Sequence, residues 1–386
     1  MRMSINKAFQ FTESGPLSKT LKLVERAIPE PEADEVVIKI RAAALNPVDV
    51  QLSSSSDKIL AMMDVRPASS SNPKIPGMDF SGTIHSLGSA VDGTRFQVGD
   101  QVFGLAMDIA GKGTMQQYLA MKPAPPGDEQ ASHVFINKPE GLTHAQAAAL
   151  PLVYSTIYTG FVHYGHLAFP SRATGNEDAQ PAPRGEGKSV LILGGSGGTG
   201  SLAIQFARQI PEVGGRIVTS CSAKNAGFVK TLGAAEILIV LVGQVIDYTS
   251  QDVVEAALNS PYAPFDLVFD CVGGADFIPH LDKLLVHDEA DPKRGMYVTI
   301  VGDKTSRDSM GGPITNDLNP VQKQRSKYAC MILEANTTQF ETMHTFLERG
   351  GEVFIDSTFG FDDVPKAYER LESARAVGKV VVDFEK

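Results

Sequence analysis

Cysteine is scarce in this chain. Cys221, Cys271 and Cys330 are three widely spaced residues in 386, too few for a disulfide framework, which fits a reducing compartment. Basic charge is also in the minority: 35 Lys and Arg against 45 Asp and Glu give a formal charge of −10 and a pI near 5.3. That balance argues against a nucleic-acid-binding surface, which is ordinarily basic. No run of about 18 apolar residues occurs, so no membrane span is expected. The opening MRMSINKAFQF lacks an apolar signal core and enters a strand-like pattern at once, which makes the cytoplasm the expected location. No internal repeat is visible.

What is present suits a soluble protein of two domains, with 42% apolar and 21% charged residues. The first part reads as strands. EVVIKIRAAA (Glu35–Ala44) alternates like a half-buried strand, and DFSGTIHSL (Asp79–Leu87) and DQVFGL (Asp100–Leu105) are short runs bounded by glycines. This spacing suggests a small barrel or sandwich. From Thr143 the pattern turns helical and Ala-rich, interrupted by Pro151. Phe169–Lys188 is rich in Pro, Gly and charge and reads as an exposed loop. Strand-like runs then recur at Arg216–Ser220, Asp266–Cys271 and Gly295–Gly302 with helical stretches between them, which implies a parallel, doubly wound sheet.

The densest signal is SVLILGGSGGTGSLAIQFARQ (Ser189–Gln209). Gly195, Gly197 and Gly200 follow an apolar run in G-x-G-x-x-G spacing and open a helix-like segment. Such glycines supply a tight turn, close approach of backbone to a pyrophosphate, and close helix–strand packing. The segment Gly195, Ser196, Gly197, Gly198, Thr199, Gly200 is therefore the expected dinucleotide loop, with helix N–H groups and the helix dipole facing phosphate. An NAD site places an acid on the ribose about 20 residues further on. Here no carboxylate occurs between Glu212 and Glu236, and the next strand ends in Ser220, Ser222 and Lys224. Hydroxyls and an ammonium welcome a 2′-phosphate, so NADPH is the expected cofactor.

The order of these parts resembles the medium-chain dehydrogenase/reductase superfamily. It is closest to the zinc-independent quinone oxidoreductase and enoyl reductase-like branch. The resemblance rests on Ala148-Ala149-Leu150-Pro151, the glycine loop, Leu232-Gly233-Ala234, VIDY at Val245–Tyr248, and AVGKVVV at Ala376–Val382. It implies an α/β protein with a GroES-like β-barrel catalytic domain (1–147 and 324–386) clasping a Rossmann doubly wound parallel sheet (148–323). The active site would lie in the cleft between them. It also implies a homodimer formed through the edge of the Rossmann sheet.

The zinc-dependent members of that superfamily carry a cysteine where this chain has Asn46, and Gly-His-Glu where it has Gly77-Met78-Asp79. A methionine cannot replace the imidazole at such a site, so no metal is expected. Chemistry would then come from hydride positioning and hydrogen bonds, which suits a quinone or an enone/enoyl acceptor better than an alcohol. By the resemblance, Asn46 would donate to a carbonyl or to the nicotinamide ribose; a turn-forming Asn-Pro is the alternative. Asp49 would organise that loop. Thr156 would lie against the nicotinamide. Tyr154 would narrow the pocket or supply a proton, with a buried aromatic as the equal alternative. Tyr248 would pack beside the adenosine phosphate, Val272, Val301 and Gly302 would lie along the cofactor, and Lys379 near its cleft. Two other readings stay open: an NADP(H)-binding sensor or structural protein without turnover, and a trans-acting enoyl reductase partnering a polyketide synthase. Three stretches depart from the family pattern: an apolar insertion at Ala235–Gln244, QLSSSSDKILAMM at Gln51–Met63, and a polar loop at Arg307–Pro320.

Overall fold

The computed structural model describes residues 5–55, 60–61, 64–125, 128, 133–171, 175, 187–213, 215–232, 243–302 and 327–386. The loop at Arg307–Pro320 and most of the insertion at Ala235–Gln244 lie outside them. The chain divides into two compact units. One takes the residues up to Leu152 together with Ala335–Phe340 and Val353–Lys386; the other takes Val153–Glu334 and Glu341–Glu352. The chain therefore leaves the second unit in two steps, at 335 and again at 353, where the sequence suggests one return at 324.

In the first unit, Val36–Ala44 is the central strand of a seven-stranded sheet. It pairs antiparallel with Asp79–Leu87, with Tyr118–Met121 and with Lys379–Asp383. Its residues are buried far beyond the half-buried alternation expected, because packed apolar clusters cover its side chains: of its nine residues only Lys39 and Arg41 keep partial exposure. Its end is built from small residues. Ala42 and Ala44 pack with Ala148, Ala149 and Val381, so the short helix His144–Ala148 approaches the sheet closely. On the other side Phe9, Ile38, Phe80, Phe135 and Tyr368 belong to one apolar core.

Among the described residues the second unit holds six parallel strands, in spatial order Gln244–Asp247, Arg216–Cys221, Ser189–Leu193, Leu267–Asp270, Met296–Thr299 and Tyr328–Cys330. Numbered along the chain this is 3-2-1-4-5-6, the doubly wound arrangement, and the order reverses between the first and fourth strands. Ser189–Leu193 is buried along its whole length, as expected for a parallel strand covered on both faces. Tyr328–Cys330 is the sixth strand, which is why the first return of the chain falls after it.

The helix Gly198–Gln209 follows the first strand and buries every residue from Gly200 to Ala207. Phe206 on this helix stacks on Phe169 with ring centroids 4.2 Å apart and meets Phe161 and Tyr154 edge-on at 5.5 and 5.7 Å. Three rings on one side chain leave little room for collapse after truncation. Phe206→Ala is expected to cost about 3–5 kcal/mol. Urea denaturation reads the change, and a loss below about 1 kcal/mol would mean that the cluster repacks.

Candidate active site

Three strand ends in the first unit bring together residues far apart in sequence. Asn46 lies just beyond the central strand. Asp79 starts the strand on one side, paired with Ala44, and Lys379 starts the strand on the other. Sheet register alone therefore gathers an amide, a carboxylate and an ammonium at one end. All three are buried, at 1%, 0% and 4% exposure. The Asp79 carboxylate accepts from Asn46 Nδ2 at 2.9 Å, from Lys379 Nζ at 3.1 Å and from the Leu152 N–H at 2.7 Å. Lys379 Nζ also donates to Asn46 Oδ1. Both ends of the Asn46 amide are thus engaged within the protein.

Asn46 also caps the helix Pro47–Ser54, with Pro47 in the first turn. The Asn46 N–H donates to Asp49 Oδ2 at 3.0 Å, and the Tyr368 hydroxyl reaches the same oxygen at 3.3 Å. Asp49 Oδ1 is buried and has no hydrogen-bond partner among the described residues. Burial pushes the Asp49 carboxyl up to about 7, with the neighbouring Asp79 charge adding to the rise. Burial raises Asp79 as well, opposed by the Lys379 charge and the amide donors. Asp49, Asn46 and Lys379 thus belong to one network, whose further members Asp79 and Tyr368 sequence reasoning passed over. Asp79 carried a signal, since it stands in the Gly77-Met78-Asp79 segment; Tyr368 carried none.

In the second unit the glycine turn joins the first strand to its helix. Gly194, not Gly195, takes the left-handed conformation, at φ +82°. Its N–H donates to Ser220 Oγ at 3.1 Å, and the Gly195 N–H to the Ser220 carbonyl at 2.9 Å. A Cβ on Gly195 would lie 2.0 Å from Thr219 Oγ1, so the first glycine of the triplet serves contact with the second strand. A Cβ on Gly200 would lie 2.2 Å from the Gly194 carbonyl oxygen, which is the close packing expected of the third. Gly197, the helix N-cap, is open: its Cβ would meet only the Gly194 oxygen, at 3.6 Å. The N–H groups of Gly198, Thr199 and Gly200 stand in the first turn, where no intrahelical acceptor exists. An uncapped helix start beside an open glycine fits a pyrophosphate.

Around this turn lie the other residues singled out from sequence. Ser220 holds Gly194 through its side-chain oxygen, so its place is under the turn. Ser222 Oγ is buried with no partner among the described residues, Lys224 is exposed, and Asn225 Nδ2 donates to Ser196 Oγ at 3.1 Å. Tyr248 is half exposed, and its N–H reaches the Cys221 carbonyl at 3.3 Å. Its neighbour Asp247 is the acid that the Glu212–Glu236 window misses. Hydrogen bonds from Thr249, Ser250 and the Ala223 N–H hold its carboxyl down at about 2, and these donors occupy both its oxygens. Val272, Val301 and Gly302 follow the fourth and fifth strands. The Gly274 N–H donates to the Gly302 carbonyl at 2.9 Å, and Gly273 packs against Val301. Thr156 is buried on the helix Pro151–Tyr158. Tyr154 is fully buried on that helix among Phe206 and Phe346, and its hydroxyl pairs with Thr342 Oγ1 at 2.9 Å. That is the packing alternative for Tyr154.

Comparison with known proteins adds to this geometry. Residues 32–125 match the family described as an alcohol dehydrogenase GroES-like domain, and residues 242–382 one described as a zinc-binding dehydrogenase. Protein YIM1-1 of Lachancea thermotolerans is 30% identical over 366 residues, covering 91% of this chain and 90% of that protein. A quinone-oxidoreductase homolog from spinach (Spinacia oleracea) chloroplasts is 30% identical over 389 residues, covering 99% and 100%. The 2-methylene-furan-3-one reductase of Solanum lycopersicum is 29% identical over 388 residues, covering 97% and 78%. Among solved structures, the quinone oxidoreductase from Coxiella burnetii superposes with a TM-score of 0.73 at 26% identity, covering 98% and 99%. The chain belongs to the medium-chain dehydrogenase/reductase superfamily, in its quinone oxidoreductase-like branch. Its first unit is the GroES-like part of that fold and its second the Rossmann part.

One matched family is named for zinc, a metal held by Cys, His and carboxylate side chains. Among the described residues no three His, Cys, Asp or Glu side chains come together to hold an ion. Asn46 and Asp79 already hold a cation, the Lys379 ammonium, and the adjacent Met78 offers only a thioether.

The network makes two measurable demands on stability. Lys379→Met removes the ammonium and leaves the Asp79 carboxylate buried without its counter-charge. A loss of about 3–5 kcal/mol is expected in urea denaturation at pH 8, and a neutral result would mean that the pair is not the source of order here. Asp49 acts in the opposite sense. The unfolded chain ionises in the usual carboxyl range while the folded chain keeps the proton to about 7. Stability therefore falls as pH rises across that window, and the penalty is complete above it. Asp49→Asn has no such proton, so from pH 5 to pH 8 it should gain about 2–3 kcal/mol relative to the parent. Parallel pH profiles for the two proteins would contradict the raised carboxyl.

Proposed function

We propose that this chain is an NADPH-dependent oxidoreductase that works without zinc and passes hydride to a quinone or an α,β-unsaturated carbonyl compound. The observation that carries the reading is the glycine turn at the reversal of the parallel sheet, with an open Gly197 and an uncapped helix start. Gly195–Gly200 would hold the pyrophosphate. The hydroxyl of Ser222 and the ammonium of Lys224 would receive the 2′-phosphate beside Tyr248, next to the Asp247 carboxylate, which is held by Thr249, Ser250 and the Ala223 N–H. Val272, Val301, Gly302 and Thr156 are assigned to the nicotinamide side. When bound, the cofactor supplies hydride from its nicotinamide ring.

Within the chain, Asn46 and Lys379 enter as positioning residues, because each is already hydrogen-bonded in the Asp79 network. Asp49, expected from sequence to organise its loop, becomes the candidate acid: its buried carboxyl is pushed up to about 7 and its Oδ1 has no partner among the described residues. Two relatives support the acceptor class, one named a quinone-oxidoreductase homolog and one a reductase of a 2-methylene-furan-3-one, whose exocyclic C=C is conjugated to a carbonyl. Pairing of two copies along the edge strand Tyr328–Cys330 and a cytoplasmic location complete the reading.

The test is oxidation of NADPH and NADH against benzoquinones, cyclic enones and enoyl thioesters, each with and without a chelator. NADPH should be preferred, at least one acceptor class should turn over, and chelation should change nothing. Lys224→Ala should weaken NADPH about tenfold more than NADH, the scale of one charge-assisted contact. Equal weakening of both would remove Lys224 from the site. Binding without turnover would point to a sensor, turnover restricted to carrier-bound enoyl groups to a synthase partner, and loss on chelation would restore a metal.

A further inference from the structure

The fourth and fifth strands of the second unit, Leu267–Asp270 and Met296–Thr299, end side by side, with Asp270 and Thr299 paired in register. Both residues are buried, at 1% and 0% exposure. Beyond them the backbone leaves the sheet, and its N–H groups need new acceptors. Asp270 Oδ1 accepts from the Val272 N–H at 2.8 Å and from the Gly273 N–H at 2.9 Å. Thr299 Oγ1 accepts from the Val301 N–H at 3.2 Å and from the Gly302 N–H at 2.9 Å. Two adjacent side chains thus shape two adjacent turns by the same means. The turns are also tied to each other. The Gly274 N–H donates to the Gly302 carbonyl, and a Cβ on Gly273 would lie 2.8 Å from Val301 Cγ1. The first of them meets the glycine turn, since a Cβ on Gly194 would lie 3.0 Å from Val272 Cγ2. Burial raises the Asp270 carboxyl, opposed by the Gly273 and Val272 N–H groups and by the Thr299 and Tyr297 hydroxyls.

We propose, resting on the NADPH reading, that Asp270 and Thr299 are positioning residues for the nicotinamide half of the cofactor. Each acts through the turn it holds, so that Val272 on one side and Val301 and Gly302 on the other keep a fixed surface for the ring. The division of labour follows from sheet order. Ser222 and Lys224 follow the second strand, on one side of the reversal, whereas Asp270 and Thr299 end the fourth and fifth strands, on the other. Loss of either acceptor oxygen therefore acts on the nicotinamide half and spares the adenosine half. Substitutions that keep the oxygen, Asp270→Asn and Thr299→Ser, leave the turn N–H groups satisfied; Asp270→Ala and Thr299→Val do not.

Calorimetric titration of the full chain with NADPH and with adenosine 2′,5′-bisphosphate, which lacks the nicotinamide half, tests this. The parent should bind NADPH more tightly than the bisphosphate. Asp270→Ala and the isosteric Thr299→Val should each weaken NADPH about tenfold, the scale of buried N–H groups left without an acceptor, and leave the bisphosphate within about twofold. Asp270→Asn and Thr299→Ser should stay within about threefold of the parent for both ligands. Equal weakening of both ligands would mean that the two residues hold the sheet as a whole, and unchanged NADPH affinity would mean that the turns stand without them; either result overturns the inference. Should neither variant fold, the parent decides through the NMR amide signals of Val272, Gly273, Val301 and Gly302. NADPH should shift these well beyond the bisphosphate, and equal shifts would overturn the inference. A parent that binds NADPH no more tightly than the bisphosphate overturns it too, with the phosphate contacts left standing. A parent that binds neither ligand overturns the NADPH reading itself, and this inference with it.

Discussion

A carboxylate at zero exposure survives only where donors replace the water it has lost, and Asp79 finds three of them in three distant parts of the chain. Asn46 lies 33 residues before it, Leu152 lies 73 after it, and Lys379 lies 300 after it. Each donor lies within two residues of the end of an element: the central strand, the helix Pro151–Tyr158, and the strand Lys379–Asp383. Ionisation of one side chain therefore ties together the ends of three elements. The Ala42–Ala44 stretch makes this possible, since its small side chains let neighbouring segments come close enough to share one carboxylate.

Elements with a local rhythm were legible in the amino-acid sequence. The strands Asp79–Leu87 and Arg216–Cys221, and the apolar run before the glycine turn, lie within a residue or so of where pattern placed them. The doubly wound sheet followed from alternation of strand and helix. Long-range polar satisfaction was not legible, because nothing near Asp79 announces a lysine 300 residues on. The burial of Val36–Ala44 was also hidden: alternation shows which face is apolar, but residues from distant parts of the chain pack on its side chains, Ala148 and Ala149 in one cluster and Phe9 and Tyr368 in another.

The glycine turn shows a finer limit. Spacing located the loop, yet the roles shifted by one residue. Gly194 makes the left-handed turn, and Gly195 is needed because the second strand leaves no room for a Cβ. A motif counts positions, whereas sterics depends on which neighbour each position meets. Asp247 was missed for a related reason. It stands at the end of the third strand in space beside Ser222, but well outside the stretch of chain in which an acid is ordinarily sought.

Asp49 and Asp79 are equally deep in the same unit and reach opposite solutions. Asp79 is surrounded by an ammonium, an amide and a backbone N–H, so its charge has partners on both oxygens. Asp49 has donors on one oxygen only, and its neighbour is the Asp79 charge. Lys379 goes to Asp79, and the other buried lysine among the described residues, Lys74, donates to the Ala110 carbonyl, so the cheaper state for the second carboxyl near neutral pH is to keep its proton. The strand register that places Lys379 against Asp79 therefore also bears on the protonation of Asp49.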